Sequence, residues 1–292
     1  MTASAALVVA AVLMFHKLVP EIEGVVPVFE SFLPWYGLAI PILAITAIAR
    51  RSLVAILSVL AAATVWAVIF WPRLLPLEAK GDAVVTLASE NIMTNNPRPS
   101  DAANALAATN ADVVAIQEFD NDGREAVNDA LGTAYPHSEV VSTVGVWSKR
   151  PLVNPQSLDL GLTWARALSV DVDTPSGQTR IYVVHLDSVR IGDSVGRDKM
   201  LGNLADAIRA DKSPRIAVIG DFNTATTDRK FSQLTDLAPE VHTSDFGFGF
   251  TWPAQFPAVR LDHALVRGLQ GVSSRILDNN GSDHRGFTVS LR

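Results

Sequence analysis

The chain has 292 residues, 48% of them hydrophobic and 18% charged, where a soluble globular domain is usually about a quarter charged. The deficit is local. Residues 1–72 hold only Lys17, Arg50, Arg51, Glu21, Glu23 and Glu30, so the net charge of −6 belongs wholly to the remaining 220 residues, and a uniformly soluble chain is excluded. Absence of cysteine excludes a disulfide framework, a thiolate zinc site and a cysteine nucleophile.

In chain order, residues 1–72 read as a membrane anchor of two to three transmembrane helices, at about 3–19, 32–49 and 52–71. The last, SLVAILSVLAAATVWAVIFW, is 20 residues without a charge, roughly 30 Å of helix and one hydrocarbon core thick. The second has Trp35 and Tyr36 at one end as interfacial aromatics and Pro41 inside, where a kink is expected. The first is short; no basic stretch precedes it as in a signal peptide. Arg50 and Arg51 form the link between the last two spans, and positive loops stay cytoplasmic; residues 20–31, with three glutamates, read as an outer loop. That orientation places a catalytic domain, 82–292, on the extracytoplasmic side of a bacterial-type cell membrane, joined by a linker at 73–81.

In that domain, β-branched runs predict strands at 83–89, 112–117, 142–148, 167–172, 180–185, 215–219, 260–266 and 287–291. Helices are predicted at 100–109, capped by Ser100, and at 195–210, where Leu201, Leu204, Ala205 and Ile208 form an apolar stripe. The turn Pro175-Ser176-Gly177 predicts a hairpin. Strands outnumber helices, which predicts mixed sheets covered by helices. Acids, amides and histidines collect where the strands end: Glu90-Asn91, Gln117-Glu118, His185-Leu186-Asp187-Ser188, Gly220-Asp221-Phe222-Asn223, Arg260-Leu261-Asp262-His263 and Ser282-Asp283-His284. Rigid scaffolds display catalytic groups at such positions, although singly each cluster fits an ordinary turn or cap.

Taken together, TLASENIMTNN, ADVVAIQEFD, VGVWSKRP, IYVVHLDS, IAVIGDFNTATTD, FTWP, VRLDHALV and GSDHRGFTV resemble the endonuclease/exonuclease/phosphatase superfamily, which includes deoxyribonuclease I. The resemblance covers nearly all of residues 84–292. It implies an α/β (α+β) fold: a four-layer sandwich of two mixed β-sheets flanked by helices, here preceded by the transmembrane segment. It implies Glu118, Asn91 and Asp283 at a metal, Asp221 and Asn223 at the attacking water, His185 and His284 at the scissile phosphate, and Asp262 orienting His284. Asn91, Arg150, Arg166 and Trp252 would contact substrate. The architecture also looks like that of membrane-anchored bacterial members associated with glycopeptide resistance.

Elementary chemistry agrees with those roles. Hydrolysis of an anionic phosphoester calls for a cation, and carboxylate and amide oxygens are hard donors that favour Mg²⁺ (or Mn²⁺) over zinc. Nucleic-acid binding is driven by clustered Lys and Arg; the nearest cluster, Arg190, Arg197 and Lys199, reads as a solvated face. The tether instead favours a substrate resident in the bilayer, a phosphorylated lipid or lipid-linked pyrophosphate. A surface nuclease and a non-catalytic phosphate-binding envelope protein are the alternatives.

Overall fold

The computed structural model describes residues 1–77 and 81–292. The hydrophobic segment forms four α-helices, α1 (Thr2–Phe15), α2 (Val25–Ser31), α3 (Ala39–Ala49) and α4 (Leu53–Leu74), with 3-10 turns at His16–Leu18 and Leu33–Leu38. α4 fits the expected 52–71 span: the Ser52 hydroxyl caps it, accepting from the Ala55 N–H at 3.4 Å. With 22 residues and a mean hydropathy of 2.6, it is the one helix among the described residues long and apolar enough by itself to cross a membrane.

The other two expected segments are helical, but neither is long enough by itself to count as a span. α1 ends after 14 residues, about 21 Å of helix and too short for a bilayer core. The 32–49 region belongs to a helix pair, Val25–Ser31 and Leu33–Ala49, bent by 55°. Pro41 does not make this bend. It lies in the first turn of α3, where a missing N–H removes no helical hydrogen bond; the break falls at Phe32, ahead of Pro34. Residues 20–31 are not simply a loop, because they contain α2. The expected linker, 73–81, begins inside α4, and its residues 78–80 lie outside the described residues. Its Leu77 donates a backbone hydrogen bond to Thr243 O at 2.9 Å and packs on the sandwich core.

The rest of the chain runs β1 (Val85–Asn91), α5 (Pro99–Ala108), β2 (Val113–Gln117), α6 (Asn121–Leu131), β3 (His137–Val141), β4 (Val144–Ser148), β5 (Leu152–Ser157), β6 (Ala167–Thr174), β7 (Gly177–His185), α7 (Val195–Ala210), β8 (Ile216–Asp221), α8 (Ser232–Thr235), β9 (Asp262–Arg267), β10 (Gly271–Ile276) and β11 (Phe287–Leu291). One sheet has the order β10-β11-β1-β2-β4-β3 and the other β5-β6-β7-β8-β9. Among the described residues only β1/β2 and β7/β8 are parallel, so both sheets are mixed. Leu87, Val113, Ala115 and Val146 meet Val170, Ile181, Val183 and Ile219 between the sheets. α5 and α6 cover one outer face through Leu106, Val127 and Leu131; α7 and α8 cover the other through Leu201, Leu204 and Leu234. This is the expected four-layer sandwich. The predicted hairpin is β6–β7, with Thr174 opposite Gly177. Ser100 is not the cap of α5; Pro99 opens that helix, and Arg98 is the cap residue without a side-chain bond.

Each sheet contains a β-α-β crossover, β1-α5-β2 and β7-α7-β8. Both parallel pairs therefore end together, Asn91 beside Gln117 in one sheet and His185 beside Asp221 in the other. β9 runs the opposite way and begins there, Asp262 opposite Asp221. Ligands of open α/β sheets gather outside such carboxyl ends. Gly220 allows the close approach of β7 and β8, since a Cβ there would lie 2.1 Å from Val184 O.

Candidate active site

The strand ends bring together most of the residues singled out in the sequence. Asp221, at the end of β8, is fully buried. Its Oδ2 accepts from Asn91 Nδ2 at 3.0 Å and Asn223 Nδ2 at 3.1 Å, and its Oδ1 from the Asn223 N–H at 2.8 Å. Burial, reinforced by the charge of Asp262, raises the Asp221 carboxyl above the usual carboxylate range, although the charge of His284 works against this. Asn223 and Glu118 hold left-handed backbone conformations, with φ of 45° and 60°. Such strain persists only where surrounding contacts over-determine it; the second Nδ2 bond of Asn223, to Leu186 O at 2.9 Å, is one such contact.

His284 follows the Ser282-Asp283 turn, where the Ser282 hydroxyl accepts from the His284 N–H and donates to Asn91 O. Its Nδ1 lies 2.8 Å from Asp262 Oδ2, and its Nε2 lies 3.9 Å from Asp221 Oδ2. Burial by itself would lower the imidazolium, but the charges of Asp262 and Asp221, with the Asp262 hydrogen bond, raise it to about 10. His185 Nε2 is 3.0 Å from Glu118 Oε1 and 3.8 Å from Asp221 Oδ2, while Arg166 Nη2 meets its Nδ1 at 2.8 Å. Burial would raise Glu118, yet the hydrogen bond and charge of His185 take it down to about 2.

A cavity of about 400 Å³ opens onto this floor, lined by Glu118, Asp221, Asn223, Trp252, Asp283 and His284 among others. Asp283 is exposed at its edge. Arg166 lies behind His185, pairing with Asp187 at 3.0 Å and stacking on Trp164 at 5.1 Å. Arg150 is not brought to the site. It follows Ser148, which pairs with Val113 at the opposite end of the sheet, and its guanidinium reaches Asp112 and Asp173 O. Antiparallel pairing of β4 with β2 sends the residues after β4 away from the carboxyl end of β2.

The sequence reading gave one site feature no role and took another for surface charge. Glu90, on β1, is fully buried and accepts from Asn280 Nδ2 at 2.8 Å; burial, with the charge of Asp262, pushes it up to about 8. In the sequence it stands in the Glu90-Asn91 cluster at a strand end, where no role was assigned to it. Arg197 is not part of a solvated face: its side chain is fully buried in the cavity wall, Nη1 reaching Asp228 at 2.7 Å and Thr224 Oγ1 at 2.9 Å.

Asp221, Asp262 and His284 bring one ligand atom each within 4.8 Å of one another, a spacing that could hold a metal ion. A protonated imidazole has no lone pair to offer, so His284 is better read as the partner of Asp262. Glu118, partly exposed at 27% and reached by Asn91, is the hard-oxygen donor open to the cavity. The fit to a divalent cation rests on charge. Three carboxyl groups, Glu118, Asp221 and Asp262, crowd one floor, and Asp262 Oδ1 is buried without a hydrogen-bond partner among the described residues.

These are the parts of a hydrolase: a buried carboxylate, an imidazolium held by an aspartate, and hard oxygen donors on a rigid rim. The chain belongs to the Endonuclease/Exonuclease/phosphatase family, whose sequence model matches residues 88–284. No curated protein matches the sequence. Among solved structures, the chain is similar to an endonuclease/exonuclease/phosphatase from Bacteroides vulgatus, with TM-score 0.59 and 16% identity over 71% of this chain and 98% of that one. It is similar to a homonymous protein from Beutenbergia cavernae, with TM-score 0.56 and 20% identity over 72% of each chain. A beta toxin mutant from Staphylococcus aureus with bound magnesium ions has TM-score 0.53 and 13% identity over 70% of this chain and 99% of that one.

Proposed function

We propose that the protein is a membrane-anchored, metal-dependent phosphoester hydrolase whose active site faces the extracytoplasmic side and acts on a lipid-borne phosphoester or pyrophosphate. The observation that carries this reading is the meeting of Asp221, the His284–Asp262 pair and Glu118 at one cavity that residues of the hydrophobic segment also line.

In this reading Asp221 takes the proton of the attacking water, as its position above the usual carboxylate range favours. Asn91 and Asn223 fix the carboxylate that does so. The His284 imidazolium, charged through neutral pH, meets the negative charge that grows on the phosphoryl oxygens. His185 faces the same centre and is turned by Arg166. Trp252 lines the cavity where substrate would rest. Glu118, Asn91 and Asp283 would hold Mg²⁺ or Mn²⁺, which supplies positive charge to the phosphoester when bound. α4 anchors the chain, and Arg50 and Arg51 at its start set the orientation. With a tether this short, a bilayer substrate meets the site at high effective concentration, whereas the domain's negative charge offers little to nucleic acid.

The test is the full chain in lipid nanodiscs with Mg²⁺, assayed on a prenyl pyrophosphate, phosphoinositides, sphingomyelin and plasmid DNA. Turnover of a lipid substrate that excess chelator abolishes is the expected result. Cleavage of DNA alone would overturn the substrate assignment, and full activity in chelator would overturn the metal. No turnover of any substrate would return the protein to a phosphate-binding role.

A further inference from the structure

The N-terminal segment does more than hold the sandwich near a bilayer. Pro27, Val28, Ser31 and Phe32 line the cavity that contains Asp221, Glu118 and His284. At 100° per residue Pro27, Val28 and Ser31 share one face of α2, Phe32 follows as its C-cap residue, and Glu30 lies to the side of that face. Glu30 is fully buried against the sandwich. Its Oε1 accepts from Arg229 Nε at 2.8 Å and lies 2.6 Å from His16 Nδ1; its Oε2 accepts from the Arg229 N–H at 2.8 Å. Arg229 Nη1 also reaches Val19 O at 2.7 Å, and the Thr227 hydroxyl donates to Glu30 O at 2.5 Å. Further contacts fix both flanks of α2: Gly192 N–H to Glu23 O at 3.0 Å, and Trp35 Nε1 to Ala258 O at 2.7 Å, with Trp35 stacked on Phe250 at 5.7 Å. A buried ion pair presses one face of α2 onto the sandwich, and its apolar face is left bordering the catalytic cavity.

The rest of the lining is chemically mixed. Glu118, Asp221, Asn223, Asp283 and His284 are polar; Val259, Leu261 and Trp252 continue the apolar surface begun by Val28 and Phe32. Ile191 and Phe256, each a few residues along the chain from a lining residue, are 77% and 84% exposed, so large apolar side chains stand in solvent beside the lining loops. A cavity whose lining combines acids, an imidazolium and two arginines, Arg190 and Arg197, with this much hydrocarbon matches an amphiphile with an anionic head.

We propose that α2 is the hydrocarbon-binding wall of the active site: the first apolar segment of the substrate lies on Pro27, Val28 and Phe32 while its phosphoester sits at Asp221 and His284. The assignment rests on reading the cavity as a phosphohydrolase site, and it makes α2 the element that selects lipid-borne substrates over soluble ones. None of its residues touches the reacting atoms.

The experiment uses the full chain in nanodiscs and a pair of p-nitrophenyl phosphoesters that differ only in carrying a methyl or a dodecyl group. Val28→Asn and Phe32→Ala are expected to lower kcat/KM for the dodecyl ester tenfold or more and for the methyl ester less than twofold. In parallel, a diazirine-bearing dodecyl phosphate is photolysed with wild type, and labelled peptides are mapped by mass spectrometry. Label on residues 25–32, competed by unlabelled dodecyl phosphate, is the expected result. Equal losses on both esters together with label confined to the outer face of α4 would overturn the proposal. The hydrolase reading fails separately: label on α2 with neither ester turned over by wild type removes the reaction and leaves the wall, whereas turnover with α2 unlabelled and both variants at wild-type rates removes the wall and leaves the reaction.

Discussion

Two neighbours on β9, Asp262 and His263, point to opposite faces of the strand, and each completes a histidine–carboxylate pair. Asp262 holds His284 Nδ1 at 2.8 Å; His263 Nδ1 lies 2.7 Å from Glu240 Oε1. The chemistry is the same and the surroundings are opposite. His263 has both nitrogens occupied, since Nε2 meets Thr224 O at 2.9 Å, and its ring is enclosed by Phe222 and Phe231 at 5.5 and 4.6 Å. Arg260 completes that closed cluster, 3.3 Å from Glu240. His284 lines the cavity, and its Nε2 stops 3.9 Å short of Asp221, beyond hydrogen-bond reach. A histidine–carboxylate pair becomes chemistry when one nitrogen is left for a ligand; when both are spent inside the protein, it becomes architecture. The closed pair still serves the open one, because Thr224 follows Asn223 directly and His263 pins that loop.

Removing groups from each pair should separate the two roles. Asp221→Asn and His284→Ala should each lower kcat by roughly 10²–10⁴ on whichever phosphoester is turned over, with the denaturant midpoint little changed for Asp221→Asn and lowered for His284→Ala, which leaves the buried Asp262 without its imidazole. His263→Ala should act through the fold. Leaving Glu240 and Arg260 without their imidazole costs on the order of 3 kcal/mol, read as a lower urea midpoint, while protein that remains folded keeps most of its kcat. A His263→Ala protein of wild-type stability and no activity would break the comparison.

Acid should weaken the fold through the closed pair. Burial would raise Glu240, but the charges of Arg260 and His263, with the His263 hydrogen bond, hold it well below the usual carboxylate range. A depressed carboxylate contributes stability that is present above its ordinary value, near 4.5, and is lost as pH falls through the folded one. Wild type should therefore lose stability between pH 6 and 3 more steeply than Glu240→Gln, measured by urea unfolding at each pH. Equal slopes would remove Glu240 from the acid response.

Much of this was legible before any coordinates. GDFN and QE stand at strand ends, with SDH in the loop before β11, because strand alternation carries acids off the sheet edge, and the central strands are written mainly in Val and Ile. What stayed hidden has physical causes. β5 is mostly exposed and carries Asn154 and Pro155, β3 and β10 are edge strands, and none of them presents the alternation of a buried strand. α6 contains Gly123 and three further polar residues in its first turn, although Asp120 caps it by accepting from the Gly123 N–H at 2.7 Å. Arg197 and Glu30 looked like surface charge, since their partners Asp228 and Arg229 lie 31 and 199 residues away. Buried ion pairs formed across such distances leave no local pattern.

Arg150 makes the smallest expected effect and the sharpest test of position. Its resemblance-based role requires the end of β4 to lie near Glu118, yet Ser148 is registered with Val113, at the other end of β2. Its guanidinium is 37% exposed and 3.8 Å from Asp112, an ion pair at the surface that is worth well under about 1 kcal/mol after solvent screening. Arg150→Ala should leave kcat/KM within twofold of wild type and shift the urea midpoint barely at all. The contrast with Arg166 sharpens the point. Its side chain is 9% exposed and meets His185 Nδ1 at 2.8 Å, so Arg166→Ala should free the imidazole to turn and lower kcat while leaving KM for a methyl phosphoester nearly unchanged. If Arg150→Ala instead cost as much as Arg166→Ala, substrate would have to span the length of the sheet, and the cavity at the carboxyl ends of β1, β2, β7 and β8 would be only part of the site.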